Sequence, residues 1–286
     1  MSWSNYHGHC HYCDGKETPE DYIRSAMDKR MRVIGFSCHA PVPFPTSWNM
    51  PASKLPVYLD DIEGLKQNNG NGLIVLKSLE VDFIPGVIGP GSQLIFDSKL
   101  DYVVGSVHFV DAFDDGTRWS IDNNNSEFVK GVNEIFNGDV QAAVTRYFYL
   151  QNEMLTTQPP EILGHMDKIR MHNVVSPHFD ENAKWYRDLV YETLKIAAQR
   201  EVVVEINTKY FSKTEMTFPS VSHFKWMFDN NVRVTINSDA HHPDALLSGF
   251  SEVAGMLLNA GYRHLWHWDG GEFCPKLFDE NGVISK

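Results

Sequence analysis

The sequence predicts an α/β fold, a barrel of parallel strands and crossover helices carrying a metal site at the C-terminal mouth of the strands. Three observations lead there. Apolar, β-rich runs alternate with helical patterns along the chain, the order of parallel strands joined by crossover helices. Several runs, VVVEI and VRVTI among them, are almost continuously apolar, as in strands buried on both faces. Nearly every run ends in histidine or a carboxylate, and the strand ends of a parallel barrel open at one mouth.

The expected strands are residues 3–9, 33–38, 73–81, 102–107, 161–164, 202–206 and 232–236. A first helix starts where Thr18 precedes Pro19, with Asp21 in the opening turn, and runs to about residue 30. Further helices are expected over 57–67, 126–136, 140–155, 182–200, 221–230 and 250–260. Segment 110–125, rich in Asp, Asn and Gly, has no periodicity and reads as a long functional loop. The Pro-rich stretch 41–56 is a second long connection, and residues 270–286 read as a surface wrap.

Composition narrows the function classes. A length of 286 residues suits one barrel domain over 1–286, and 42% hydrophobic with 22% charged residues suffices to bury its core. No run has the length of a membrane span, and the start MSWSNYHGHCHYCDG has neither a basic leader nor an apolar signal core, so a cytoplasmic location is expected. Four cysteines make no disulfide framework. The Cys10–Cys13 pair has no second pair at zinc-ribbon spacing and reads as packing thiols. With a net charge of −12 and no Lys/Arg cluster, the chain has no electrostatic footprint for nucleic acid. An anionic substrate then needs a local positive field, which metal can supply.

His7 and His9 end the first strand, two residues apart and so on one face. His39, Glu80, His108 and His165 end later strands, and Asp239 and His241 follow the last. Singly, a strand-end histidine is most often a hydrogen-bonding or surface residue, and His11, His172, His178, His223, His264 and His267 keep that reading. Jointly, the pattern points to metal. Imidazole mixed with carboxylate suits Zn, Mn or Fe better than Ca or Mg. With Asp14 the ligand set reaches six histidines and three carboxylates, enough for two to three divalent ions.

Seven segments, HGHCHYCDG from His7, GFSCHAPVPF from Gly35, LEVDFIPG from Leu79, DYVVGSVHF from Asp101, GHMDKIR from Gly164, VEINTKYF from Val204 and NSDAHHP from Asn237, together resemble the polymerase-and-histidinol-phosphatase (PHP) superfamily, and within it the histidinol-phosphate phosphatases. The resemblance implies a distorted TIM-like (βα)7 barrel and a trinuclear centre. His7, His9, Glu80 and Asp239 would hold one ion, Glu80 would bridge to a second held by His108 and His165, and Asp14, His39 and His241 would hold a third. It also implies hydrolysis of L-histidinol phosphate in histidine biosynthesis. Two positions depart from the family pattern: Cys38 stands where an acidic residue is common, and Lys209 where a small one is.

The expected chemistry is attack of metal-activated hydroxide on phosphorus, with Glu80, Asp239 and Asp14 in the catalytic set and His242 or Asp14 as proton donor to the leaving group. Arg170 and Ser106 are the expected phosphate contacts, and Asp111, Asp114 and Asp115 the readers of the substrate ammonium. Alternatives are a phosphotyrosine phosphatase, a 3′–5′ exonuclease, or a non-catalytic metal-binding scaffold.

Overall fold

Parallel pairing starts at the N-terminus. In the computed structural model, which describes residues 2–68 and 72–284, β1 (Ser4–Asn5) pairs with β2 (Val33–Phe36), β2 with β3 (Ile74–Asp82), and β3 with β4 (Tyr102–Ser106). The chain then makes an antiparallel hairpin, β5 (Phe109–Ala112) and β6 (Arg118–Ser120). The parallel series resumes with β7 (Ile162–Leu163), β8 (Val203–Asn207) and β9 (Val234–Asn237). A Gly8–Ala240 bridge brings the first and last strands together, so these seven strands form a nearly closed TIM-like barrel, as the alternation predicts. Regular pairing is shorter than the apolar runs. Past Asn5 regular pairing stops, and Gly8 O accepts from Ser37 N at 2.9 Å while His9 N donates to Ala240 O at 2.8 Å.

The helices follow the expected order: α1 (Pro19–Asp28), α2 (Leu55–Asn68), α3 (Gln93–Asp97), α4 (Asn125–Phe136), α5 (Val140–Thr157), α6 (Lys184–Gln199), α7 (Phe211–Thr214), α8 (Phe224–Asp229) and α9 (Phe250–Ala260). Thr18 caps α1 in a capping box with Asp21, with Pro19 in the first turn. The short α3 and α7 were not predicted, since one turn is too brief to show a 3.6-residue period.

Two expectations are corrected. Segment 110–125 is not an irregular loop: most of it is the β5–β6 hairpin, fixed by the fully buried Trp119, whose Nε1 donates to Glu127 O on α4 at 3.2 Å. The C-terminal segment is not a surface wrap. It forms β10 (His264–Asp269), β11 (Glu272–Asp279) and β12 (Gly282–Val283), an antiparallel sheet whose Trp268 and Phe273 pack on Tyr6 and Tyr102. Its alternation was hidden because His264, Trp266 and Trp268 share a face, mixing polar and aromatic side chains.

Alternation along the strands divides the barrel interior into two levels. On one face, Val75, Leu79 and Val81 of β3 and Val204 and Ile206 of β8 join the apolar layers beneath the helices. On the other face, Leu76, Tyr102, Val104, Ile162 and Val203 fill the lower interior. Two residues further along the same faces come Ser78, Glu80 and Asp82, then Ser106, then Glu205 and Asn207, all buried. Apolar packing thus fills the lower interior, and these buried polar groups lie toward the strand C-termini. Gly35 helps, because a Cβ there would lie 1.9 Å from the Tyr102 hydroxyl, which crosses the barrel to donate to Tyr6 O.

Candidate metal centre

The nine expected ligands converge at the C-terminal mouth. Glu80 is the centre: its Oε2 lies 3.3 Å from His7 Nε2, 3.5 Å from His9 Nε2 and 3.0 Å from His39 Nδ1. Its Oε1 lies 2.8 Å from His165 Nε2 and 3.5 Å from His108 Nε2. Asp239 Oδ1 stands 3.1 Å from His9 Nε2, and Asp14 Oδ2 stands 3.1 Å from His241 Nε2. Four groups have ligand atoms close enough together to hold an ion: His9, Asp14, His39 and His241; His7, His165 and Asp239; His7, His9 and Glu80; and His39, Glu80 and His108.

The donor atoms fit metal. His7 Nε2, His9 Nε2, His39 Nδ1, Glu80 Oε2 and Asp14 Oδ1 are buried, point into the cluster and have no hydrogen-bond partner. Leaving that many buried polar atoms unpaired costs about 1–3 kcal/mol each. A shared cation satisfies them together. Asp239 has φ +47°, an uncommon conformation for a non-glycine residue that marks a constrained site.

Electrostatics agree. Burial pushes His7 down, but Glu205, Glu80 and Asp239 reverse this and hold it well above the usual histidine range. His9 is likewise buried, yet neighbouring Cys13 and Asp239 lift it to about 10, and Asp82, Asp122 and Glu80 lift buried His108 to about 9. Glu80 and Asp239 are buried too, and the surrounding imidazoles, with Lys209 for Asp239, hold both well below the usual carboxylate range. The mouth thus favours positive charge at His7, His9 and His108, whereas burial, with Lys168 near His165 and Lys209 near His241, pushes His165 down to about 4 and His241 below the usual histidine range.

A supporting layer escaped the sequence reading. Glu205 Oε2 accepts from His7 Nδ1 at 2.6 Å, and Asp82 Oδ1 from His108 Nδ1 at 2.8 Å. Each bond directs the other ring nitrogen, Nε2, at the centre. Asp122 Oδ2 lies 3.6 Å from His108 Nε2 and accepts from buried Lys168 Nζ at 2.7 Å. Lys209 Nζ lies 3.2 Å from Asp239 Oδ1 and 3.4 Å from His241 Nε2. Signals existed for two of these: Asp82 is two residues past Glu80 on the same face, and Glu205 is a charge inside an apolar strand.

Other expected site residues sit differently. Ser106 Oγ donates to Glu80 Oε1 at 2.7 Å, so it supports a ligand; a Cβ on Gly164 would stand 2.4 Å from that oxygen. Arg170 is buried, with its guanidinium bonded to Asp167, Glu181 and Thr217 O. Those partners occupy the group expected to meet phosphate. Asp111 turns toward Arg146 on α5, while Asp114 and Asp115 are exposed at the far turn of the hairpin. The carboxylate this segment brings to the mouth is Asp122. His242 is half exposed beside His241, and its Nδ1 accepts from Asp244 N at 3.2 Å.

The PHP domain model matches residues 5–209. The chain belongs to the PHP family. Asp239 and His241 lie beyond the matched stretch, and the fold returns them to the same mouth. A Deinococcus radiodurans protein is 25% identical over 251 residues, covering 86% of this chain and 88% of that protein. The histidinol-phosphatase of Lactococcus lactis subsp. lactis is 23% identical over 292 residues, covering 94% and 96%. Among solved structures, a Lactococcus lactis histidinol phosphate phosphatase complexed with Zn, L-histidinol and phosphate superposes with a TM-score of 0.70 at 19% identity, covering 96% of this chain and 99% of that one. Among the described residues, no helix is long and apolar enough to cross a membrane.

Proposed function

We propose that this PHP protein is a metal-dependent phosphomonoesterase that hydrolyses L-histidinol phosphate to L-histidinol and phosphate in histidine biosynthesis, in the cytoplasm, with two to three Zn, Mn or Fe ions. The observation that carries this reading is Glu80, whose two oxygens are shared between His7, His9 and His39 on one side and His108 and His165 on the other. A carboxylate placed in this way is suited to bridging ions. Similarity to the Lactococcus lactis enzyme over almost its whole length supports the choice of substrate.

Charge favours the higher metal count. Asp14, Glu80, Asp82, Asp122, Glu205 and Asp239 face two ammoniums, Lys168 and Lys209. With the imidazoles neutral, as ligation requires, six carboxylates against two ammoniums leave the protein groups four charges negative, which repels a phosphate dianion. Two divalent ions only neutralise that charge, whereas three leave the mouth positive. Bound ions would also supply Lewis acidity and lower the pKa of water to about 7.

The chain's own residues do the rest. Glu205 and Asp82 fix the orientation of His7 and His108. Lys168, held by Asp122, and Lys209 neutralise the phosphoryl oxygens, the role expected of Arg170. His242, whose Nδ1 is occupied by the Asp244 N–H, presents Nε2 as proton donor to the leaving alkoxide. The test is phosphate release by the purified, metal-assayed protein from L-histidinol phosphate, phosphotyrosine and p-nitrophenyl phosphate. Preference for histidinol phosphate, abolished by chelation and restored by metal, is expected. Equal rates on all three, or full activity without metal, would overturn the reading.

A further inference from the structure

Three thiols from two strand ends gather behind the ligands, and the proposed reaction uses none of them. Cys10 and Cys38 are fully buried, with Sγ atoms 3.4 Å apart. Cys13 is partly exposed; it packs against Cys38, and its Sγ lies 3.4 Å from His9 Nδ1. Glu205 holds the outer nitrogen of His7 and Asp82 that of His108, and a thiol takes the same place at His9. The thiols also share backbone with ligands. Cys10 follows His9, Cys13 precedes Asp14 and Cys38 precedes His39, and these three ligands belong with His241 to one ion-holding group.

We propose that Cys13 and Cys38 are a modification site for small hydroperoxides, and that their disulfide unloads the ion held by His9, Asp14, His39 and His241. Cys13 is the thiol of the three with access to solvent. Its sulfur attacks the hydroperoxide, the O–O bond breaks, and one oxygen is transferred to give a sulfenic acid while the peroxide leaves as an alcohol. The Cys38 sulfur then attacks Cys13 Sγ; the S–S bond forms, the S–O bond breaks, and hydroxyl leaves with the thiol proton as water. Two thiols and one hydroperoxide thus give one disulfide, one alcohol and one water. A disulfide requires sulfurs about 2 Å apart, so Cys13 must turn from His9 Nδ1 toward Cys38. That frees the His9 ring and pulls on the backbone next to Asp14 and His39.

The ion release rests on the proposed metal centre, whereas disulfide formation does not, so the two fail separately. The metal-loaded protein is treated with tert-butyl hydroperoxide, alkylated, digested and mapped by mass spectrometry, while released zinc is read with a chromogenic chelator. The expected result is a Cys13–Cys38 cross-linked peptide, about one equivalent of zinc released, and at least about a tenfold loss of activity, all reversed by dithiothreitol and zinc. Cys38→Ser, confirmed folded by circular dichroism, should form no cross-link and keep its zinc at the same peroxide dose. Cys274→Ser, altering a thiol on β11, should behave as wild type. Free Cys13 and Cys38 after treatment, Cys13 carried to sulfinic acid beside a free Cys38, or equal zinc loss from wild type and Cys38→Ser would each overturn the proposal. A protein that binds no metal yet forms the cross-link would overturn the metal centre and leave the thiol site standing.

Discussion

Glu205→Gln changes one atom and tests whether the supporting layer governs the metal centre. Glu205 accepts four hydrogen bonds: Oε2 from His7 Nδ1 at 2.6 Å and Asn237 Nδ2 at 3.1 Å, Oε1 from Asn207 Nδ2 at 2.6 Å and the His165 N–H at 3.3 Å. Every partner donates. A glutamine offers one accepting oxygen and one donating NH2, so either orientation sets donor against donor. If the NH2 faces the His165 N–H, a buried backbone donor is left unpaired, at a cost of about 1–3 kcal/mol. If it faces His7, Nδ1 must accept, and the ring proton moves to Nε2. That nitrogen points at Glu80 and has no partner of its own, so a ligand lone pair is lost. The expected loss in metal affinity is about 10–100-fold, or about 1.4–2.8 kcal/mol. Competition with a chromophoric chelator reads the affinity and thermal unfolding reads the stability. Unchanged affinity together with an unchanged Tm would refute the idea that Glu205 positions His7.

Glu80→Gln should lower metal content by more than one equivalent and kcat by about a thousandfold or more, since ligands on both sides depend on that carboxylate; loss of one equivalent at near-normal rate is the contrary result. Lys168→Met should raise KM for all phosphate monoesters alike, whereas Arg170→Ala should leave KM unchanged and cost about 3–5 kcal/mol of stability by stranding buried Asp167; the opposite pattern would return Arg170 to the phosphate. Burial, with Arg170 and Arg187 nearby, pushes His223 down to about 4, from 6.5 in the unfolded chain. Below pH 6.5 the unfolded chain takes up this proton and the native protein does not. The stability contribution is therefore complete above pH 6.5 and falls by about 3 kcal/mol as pH drops toward 4. Urea unfolding at pH 7 and 5 should show His223→Gln losing less stability than wild type, and equal losses would exclude the histidine as the source.

Most of the candidate ligands were legible because they stand at or just past the end of an apolar run, a local fact that needs only the number of residues between positions; Asp14, five residues past His9, does not. The same holds for α1, where Thr18, Pro19 and Asp21 form the cap within four residues. Arg170 marks the limit of such local reading, because sequence nearness to His165 does not say which way a long side chain turns. A buried Asp167, two residues past His165, takes the guanidinium instead.

Period two along a strand assigns a residue to a face, and hydrophobic alternation sorts interior from exterior, so the sequence by itself determined the barrel, its mouth and the imidazole-carboxylate chemistry there. Which carboxylate meets which imidazole is set by register between strands. Pairing of Asp82 with Ser106 places Asp82 beside His108, and Glu205 reaches His7 from 198 residues away across the barrel. The roles of Asp122, Lys168 and Lys209, and the aromatic packing of the C-terminal sheet on Tyr6 and Tyr102, were likewise decided by tertiary structure. These contacts join side chains far apart in the sequence, and no local period encodes them.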